Sequence, residues 1–153
     1  MYILYMFHVI LIIILIIILL KLIFNKYCTN NIANRLIPNL WVGNRIASLD
    51  NDFLKKNNIK LIINCTKTLP FIDNQDITKY RLSVHDNGSQ ETKIGMLQNI
   101  DDIIELINIH INKNEGVLIH CYAGMQRAPT IACCYIIDKL GLDIDKAINH
   151  IKK

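Results

Sequence analysis

Hydrophobic positions divide the chain into one long apolar segment and a series of short apolar runs. From Tyr2 to Phe24, only His8 and Lys21 interrupt the apolar residues. About 20 apolar residues in a helix cross the hydrocarbon core of a bilayer, so residues 1–24 predict one transmembrane anchor. A cleaved signal peptide is the alternative, but the segment lacks the basic start, the shorter apolar core and the small-residue cleavage site of such a peptide.

Basic residues on the carboxyl-terminal flank of this segment predict its orientation. Lys21, Lys26 and Arg35 lie on that flank, and basic flanks tend to stay in the cytoplasm. We therefore expect a single-pass membrane protein whose remaining chain faces the cytoplasm. Residues 25–34 are polar and predict a linker, in which Cys28 is either an idle residue or, beside a membrane, an acceptor for palmitoylation.

The remaining residues alternate between strand-like runs and helical patterns. Strands are expected at 40–43, 60–64, 78–84 and 117–120, with loops at 70–76 and 85–91. Helices are expected at 48–57, capped by Ser48, at 92–113, from about 127 to 141, and at 143–153. This alternation predicts an α/β domain over residues 35–153, with a central, mostly parallel sheet flanked by helices.

Charge and cysteine content exclude several classes of protein. The chain has 17 Lys and Arg against 13 Asp and Glu. Without a clustered basic face, this small excess gives no reason to expect nucleic acid binding. The five cysteines are odd in number and irregularly spaced, which does not fit a disulfide framework, and no CxxC pair indicates zinc. Reduced thiols in a reducing compartment are therefore expected.

The stretch GVLIHCYAGMQRAPT, residues 116–130, carries the candidate chemistry. Its predicted strand delivers Cys121 to the carboxyl edge of the sheet, where α/β proteins tend to place their sites. The loop that follows leads into a helix beginning near Arg127. Backbone amides in such a loop form an anion-binding nest, and the helix dipole adds positive character. Gly124 permits backbone conformations that other residues resist.

This arrangement predicts a pocket for a phosphate group. Backbone donors are expected from the five loop residues Tyr122, Ala123, Gly124, Met125 and Gln126. The guanidinium of Arg127 can grip two phosphate oxygens. The same positive field favours the thiolate of Cys121, which would attack phosphorus in line and form a phosphocysteine.

The leaving group of such a reaction needs a proton, and Asp86 is the candidate donor. It follows a predicted strand and lies in a polar loop that can reach the pocket. The alternative is that Asp86 caps a turn through its side chain. Asp73 and Asp76 lie in an earlier loop and are weaker candidates, while His85 is expected to pack rather than act as a base.

The segment HCYAGMQRAPT resembles the HCx5R signature of the cysteine-dependent protein tyrosine phosphatase superfamily, in the HCxAGxSRSxT form of its dual-specificity branch. LWVGNRIASLDNDFLKKNNIKLIINCT is similar to that branch's opening strand, helix and second strand, and VHDN to its general-acid loop. The resemblance implies a phosphotyrosine protein phosphatase-like fold with Cys121 as nucleophile, Arg127 as phosphate clamp and Asp86 as general acid. It also implies phosphotyrosine and phosphoserine or phosphothreonine protein substrates, and no metal or organic cofactor.

The chain departs from the family pattern at several positions. Ala128 stands where the family usually has a Ser or Thr hydroxyl that helps the thiolate leave, so a slow second step is expected. Gln126 replaces a common Ser. Tyr122 and Met125 stand where phosphoinositide phosphatases tend to have lysines, which favours protein over lipid substrates. The chain stops at Lys153, before a segment that family members usually have, so an exposed apolar patch is expected.

Two further readings stay open. A phosphoprotein-binding module with little turnover is the main alternative to an enzyme, and a rhodanese-like sulfur carrier is a weaker one. Cys65 ends a predicted strand at the same sheet edge as Cys121. In some relatives a cysteine there forms a reversible disulfide with the nucleophile; the alternative is a small buried core residue. Cys133 and Cys134 are expected in the core.

Overall fold

A mixed five-stranded sheet organises the part of the chain that the computed structural model describes, residues 32–87 and 89–151. Its strands are β1 Ala33–Ile37, β2 Leu40–Gly43, β3 Ile59–Asn64, β4 Thr78–Arg81 and β5 Gly116–His120. The spatial order is β1-β2-β5-β3-β4. The β1–β2 pair is antiparallel, and the other three pairs are parallel.

Helices cover both faces of the sheet. They are α1 Asn51–Lys56, α2 Gln90–Gln98, α3 Ile100–Asn112, α4 Arg127–Leu140 and α5 Ile144–Ile151, and a 3-10 turn spans Ala47–Leu49. The predicted α/β class with flanking helices is therefore confirmed. No helix in residues 32–87 and 89–151 has the length and apolar character that crossing a bilayer requires. The predicted anchor at 1–24, and most of the predicted linker, lie outside these residues.

The central strands β3 and β5 bury side chains on both faces. Ile63 and Ile119 point into the larger core, beneath α3, α4 and α5. Ile62 and Leu118 point into a smaller core with Leu54 of α1. Fully burying a side chain of this size stabilises a fold by about 1.5–3 kcal/mol, so the continuous apolar runs of these strands explain why they occupy the centre.

The first strand was not predicted. β1 begins at Ala33, inside the predicted linker, and pairs Arg35 with Trp41 of β2. Its sequence ANRLI has no regular apolar alternation, and its residues are half-buried or exposed. An edge strand of this kind is held by backbone pairing, which leaves little trace in a hydrophobic pattern.

The predicted helix at 92–113 is wrong as a single element, because the chain forms α2 and α3 with a break at Asn99. The backbone of Asn99 has φ −107° and ψ 4°, outside helical geometry. Its side-chain amide donates to the Gly95 carbonyl at 2.8 Å, and the Tyr80 hydroxyl donates to its Oδ1 at 3.3 Å. A side chain that hydrogen-bonds to nearby backbone competes with the helix at this position.

Two other predicted boundaries are also wrong. Ser48 does not cap a helix: Asp50 Oδ1 accepts from the Phe53 amide at 3.0 Å and caps α1, while the Ser48 hydroxyl donates to a backbone carbonyl. The strand expected at 78–84 ends at Arg81, because its partner β3 ends at Asn64. The chain beyond Arg81 is therefore released from the sheet into the loop that carries Asp86.

Helices α4 and α5 leave apolar side chains exposed. Ala147 packs into the larger core, whereas Leu140, Ile144 and Ile148 are exposed. Cys133 and Cys134 are half-buried in α4. Cys133 packs against the larger core, as predicted.

Candidate active site

The register of β3 and β5 places two cysteines side by side at the carboxyl edge of the sheet. Asn64 pairs with His120, and the Cys65 amide donates to the His120 carbonyl at 2.8 Å. Cys65 and Cys121 directly follow these two strands, and both pack into the larger core. Cys65 is fully buried and Cys121 is 2% exposed, so the two thiols share one enclosed environment.

Gly124 fixes the path of the loop that follows Cys121. Its φ is +76°, a left-handed conformation that side chains with a Cβ resist. A Cβ at this position would also lie 2.9 Å from the Gly43 carbonyl oxygen. The resulting turn lets the Gly124 amide donate to Cys121 Sγ at 3.2 Å, and this contact stabilises negative charge on the sulfur.

Arg127 opens α4 and aims its guanidinium back across the sheet edge. The side chain is buried. Nη1 donates to the Cys65 carbonyl at 3.1 Å, and Nη2 donates to Asp86 Oδ2 at 2.7 Å. The Nε–H has no hydrogen-bond partner among residues 32–87 and 89–151. The structure therefore brings Asp86 onto Arg127, at the mouth of the loop that holds Cys121.

In the described residues, Asn87 and Ser89 supply the side-chain contacts of the turn that follows Asp86. Asn87 Oδ1 accepts from the Ser89 amide at 3.1 Å and from the Thr92 hydroxyl at 2.9 Å. The Ser89 hydroxyl accepts from the Thr92 amide at 3.2 Å and caps α2. The carboxylate of Asp86 accepts instead from Arg127.

A cavity of about 360 Å³ lies at this sheet edge. It is lined by Thr66, Lys67, Thr68, Leu69, Val84, His85, Asp86, Tyr122 and Arg127. Asp73 and Asp76, the weaker candidates for the acid, do not line it. Cys121 does not line it either and is only 2% exposed.

Tyr122 forms one wall of this cavity, and Arg45 holds it. Arg45 Nη1 donates to the Tyr122 hydroxyl at 2.8 Å, and its Cζ lies 4.7 Å from the ring centroid. The Arg45 amide also donates to the Tyr122 carbonyl at 3.2 Å. Sequence analysis missed Arg45. The available signal was its position just past Gly43, because β2 runs parallel to β5 and ends at the same edge.

Residues 66–69 form another wall of the cavity. Half-buried Arg81 and buried Asn64 hold them, and the sequence did not predict either contact. Arg81 donates to the carbonyls of Thr66 and Leu69, each at 2.8 Å. Asn64 Oδ1 accepts from the Thr66 amide at 3.0 Å. These contacts satisfy the loop's backbone without secondary structure, and they fix the wall that faces Arg127.

The remaining loop residues are placed as follows. Ala123, Met125 and Gln126 are exposed, with Met125 at 77% exposure. The Gln126 side chain makes no hydrogen bond in the described part of the chain, although its carbonyl accepts from the Thr130 amide at 2.9 Å. Ala128 is fully buried, so its methyl group packs where the family has a hydroxyl.

The two histidines of the site have different surroundings. Burial lowers the pKa of His120 to about 4, and the charges of Arg81 and Arg127 act in the same direction, so the imidazole is neutral at pH 7. His85 is exposed, and its Nε2 contacts the Lys67 ammonium. The expectation that His85 packs is therefore wrong.

The buried neutral imidazole of His120 predicts acid-dependent stability. The pKa is about 4 in the folded chain and about 6.5 in an unfolded one, so the unfolded state binds more protons between these pH values. The free energy of unfolding should therefore fall by roughly 3 kcal/mol as the pH drops through this window. Above pH 7, His120 should not contribute to the pH dependence of the free energy of unfolding. Denaturant titrations of the wild type and of His120→Asn at pH 7, 5.5 and 4.5 measure the effect. If the free energy of unfolding depended equally on pH in both proteins, the prediction would be contradicted.

Comparison with known families agrees with this geometry. Residues 40–153 match the model of the dual specificity phosphatase catalytic domain. The chain is 31% identical over 121 residues to the dual specificity protein phosphatase 9 of Homo sapiens, covering 78% of this chain and 30% of that protein. It is 32% identical over 126 residues to Mpk3 of Drosophila melanogaster, covering 80% and 30%. The chain thus spans about a third of the length of these relatives.

Solved structures show the same fold. A crystal structure of DUSP15 is 30% identical and superposes with a TM-score of 0.71, covering 78% of this chain and 74% of that one. A structure of human DUSP28 has a TM-score of 0.72 at 18% identity, covering 79% of each chain. At that identity the second similarity shows the fold alone.

Proposed function

Because the chain belongs to the dual-specificity phosphatase family, we propose that it hydrolyses phosphate monoesters on phosphotyrosine and phosphoserine or phosphothreonine proteins through a phosphocysteine. The contact between Arg127 and Asp86 carries this proposal. It puts an oxyanion-binding guanidinium and a proton donor together at the end of the Cys121 loop. Exposed Asp86 contributes at most about 1 kcal/mol to such a pair, so a phosphate dianion can displace it from Arg127.

In the first step, Cys121 Sγ attacks the phosphorus in line with the ester oxygen. The S–P bond forms as the P–O bond breaks, and the departing oxygen takes the proton of Asp86. Arg127 and the Gly124 amide stabilise the charge that develops around phosphorus and sulfur.

In the second step, water replaces the thiolate on phosphorus. Asp86, now ionised, accepts a proton from the attacking water, the S–P bond breaks and inorganic phosphate leaves. The departing sulfur carries negative charge and is stabilised by the Gly124 amide. Ala128 supplies no hydroxyl, so this step should be the slower one.

The alternative function is a phosphoprotein-binding module with low turnover, which the buried methyl group of Ala128 favours. Assays of the full-length chain on an aryl phosphate and on phosphotyrosine and phosphothreonine peptides separate the two. Continuous release of phosphate, sensitive to vanadate, supports the enzyme. A burst of one leaving group per chain without further turnover supports the binding module.

Ala128→Ser should speed the slow step. A serine hydroxyl next to Arg127 can donate to the departing thiolate, so kcat should rise by about tenfold, the equivalent of roughly 1.4 kcal/mol, while the burst rate stays unchanged. Rapid-quench measurement of the burst and the steady state gives both rates. Ala128→Val, which adds bulk without a donor, is the matched control; a rise in both variants would exclude the hydrogen bond as the cause.

We also propose that Cys65 and Cys121 form a reversible disulfide. Peroxide converts the Cys121 thiolate to a sulfenic acid, and the Cys65 thiol then attacks that sulfur, forming the S–S bond and releasing water. Support comes from their neighbouring positions on paired strands and their shared core. Burial raises the pKa of Cys65, the nearby Cys121 adds to the rise and Arg127 opposes it. Cys65 is therefore a thiol at pH 7, and closure of the bond should accelerate as pH rises.

Mild peroxide should therefore inactivate the protein in a form that dithiothreitol restores. Peptide mapping should show a Cys65–Cys121 cross-link, and its closure should be up to about 100-fold faster at pH 8.5 than at pH 6.5, because the thiolate fraction of Cys65 rises tenfold per pH unit below its pKa. Cys65→Val should be inactivated without recovery, because its sulfenic acid proceeds to higher oxides. Cys134→Val is the control and should behave like the wild type. Full recovery of the Cys65→Val protein would contradict the proposal.

We further propose that residues 1–24 anchor the protein as a single-pass helix, with the catalytic domain facing the cytoplasm. Support comes from the apolar sequence and its basic carboxyl-terminal flank. Alkaline extraction of membranes from cells should leave the full-length chain in the pellet and release a chain that starts at residue 25. Release of both chains would contradict the anchor.

A further inference from the structure

The loop that carries Asp86 is attached to the rest of the domain on both sides of that residue. Before it, the buried side chain of Val84 packs into the larger core. After it, the Thr92 hydroxyl donates to Asn87 Oδ1 at 2.9 Å and lies 3.5 Å from the His85 carbonyl. The side chains of His85 and Asp86 lie between these attachments, and both are exposed. Their placement therefore depends on side-chain contacts with other loops.

Two side-chain contacts hold this part of the loop. Asp86 Oδ2 accepts from Arg127 Nη2 at 2.7 Å, and His85 Nε2 contacts the Lys67 ammonium. A lysine ammonium has donors only, so Nε2 is the acceptor and the imidazole proton sits on Nδ1. All four side chains line the cavity of about 360 Å³. The contact between Lys67 and His85 therefore lies directly beside the carboxyl group proposed as the proton donor.

Substrate binding removes the first of these contacts and leaves the second. The Nη2 donor of Arg127 is occupied by Asp86, so a phosphate that binds Arg127 displaces the carboxyl group. Asp86 then has no partner at the stage when its proton is needed at the leaving oxygen. The contact between Lys67 and His85 uses neither Arg127 nor a backbone amide of the Cys121 loop. It therefore persists when phosphate is bound.

We propose that Lys67 is a positioning residue, which through His85 keeps Asp86 beside the leaving group after phosphate has displaced it from Arg127. This inference rests on the proposed phosphatase function and adds a residue to it. Lys67 is suited to this role because its own loop is fixed: Arg81 donates to a backbone carbonyl on each side of it, both at 2.8 Å. The mobile acid is thus tied to a rigid neighbour by one hydrogen bond.

Removing the contact should slow the substrates that need a general acid and spare those that do not. Lys67→Met keeps the length of the side chain and should lower kcat/KM by about fivefold for a phosphothreonine peptide, the size expected of one lost hydrogen bond. For an aryl phosphate with an acidic leaving group, kcat/KM should stay nearly unchanged. Lys67→Arg keeps a donor and should retain the wild-type rates. Lys113→Met, before the opposite end of β5, is the control.

Further variants separate positioning from an effect of the lysine charge. His85→Phe keeps that charge but removes the acceptor, so it should reproduce the loss seen in Lys67→Met, and the two together should lose no more. His85→Gln keeps an acceptor and most of the rate. Adding Lys67→Met to Asp86→Asn should cause no further loss, because no acid remains to be positioned. Losses that multiply in either double variant, an equal loss on the aryl phosphate, or a full rate in His85→Phe would overturn the proposal.

A spectroscopic measurement separates this proposal from the phosphatase function. The nitrogen chemical shifts of the imidazoles in the full-length chain show by NMR which ring nitrogen carries the proton. At pH 8, His85 should be protonated at Nδ1 in the wild type, both free and with vanadate bound, and Lys67→Met should lose this signature. The signature without turnover contradicts only the phosphatase function. Turnover without the signature contradicts only the role of Lys67.

Discussion

Cys121→Ser is expected to lower kcat by about 10⁵-fold or more, because it removes the nucleophile. A serine hydroxyl keeps its proton at neutral pH, and no side chain in the described part of the site is placed to take it. His120 is the nearest imidazole in sequence, but it is buried and both its ring nitrogens lack hydrogen-bond partners. The substitution therefore leaves a pocket that binds phosphate without attacking it.

The same variant should retain substrate affinity. Arg127 and the Gly124 amide are unchanged, so Cys121→Ser should bind a phosphopeptide within a few-fold of the wild-type KM. Steady-state assays and anisotropy measure the two properties separately. Cys133→Ser in α4 is the matched control and should keep wild-type turnover. Residual kcat within tenfold of the wild type in Cys121→Ser would assign the nucleophile elsewhere.

Asp86→Asn should lower kcat/KM by about 10²- to 10³-fold for phosphoserine and phosphothreonine peptides, because their alkoxide leaving groups depend on a general acid. The loss should be far smaller for an aryl phosphate with an acidic leaving group, which departs without a proton. Rates for a series of aryl phosphates, plotted against leaving-group acidity, should show a steeper dependence in the variant than in the wild type.

A second effect of changing Asp86 has the opposite sign. Its carboxylate accepts from Arg127 Nη2 at 2.7 Å, so it competes with any oxyanion for the same donor. Asp86→Ala should tighten vanadate binding by about threefold, a modest change because the carboxylate is 56% exposed and its ion pair is weak. Asp73→Asn, in a loop away from the cavity, is the control. If the Asp86 variants bound vanadate more weakly and their rates depended on leaving-group acidity as in the wild type, Asp86 would have no role in the mechanism.

The backbone elements around the candidate site were predictable where their determinants are local. Between Gly116 and Thr130 the chain contains an apolar strand, a thiol at its end, a loop glycine, and an arginine at the start of a helix. Each of these features depends on neighbours a few residues away, and the observed β5 and α4 match the prediction. The parallel arrangement of the central strands followed from their alternation with helices.

The features that the sequence did not predict depend on contacts between residues distant in sequence. The break at Asn99 involves Tyr80 from β4, and Arg45 reaches Tyr122 across 77 positions. The contact between Lys67 and His85 joins two loops that meet only because β3 and β4 are paired. A hydrophobic pattern carries no signal for such polar pairs, because either partner alone looks like an ordinary exposed residue.

The two glycines that meet behind the nucleophile have a consequence for how this domain can change. Gly124 lies against the backbone of Gly43, and Gly43 packs closely against the side chains of Ala33 and Ala47. The residues around Gly43, near the beginning of the domain, contact no reacting atom. Their packing nevertheless determines the conformation of the catalytic turn. Exchanging that stretch with one from a relative would transplant part of the active site, so chimaeric proteins should keep both glycines from the same parent.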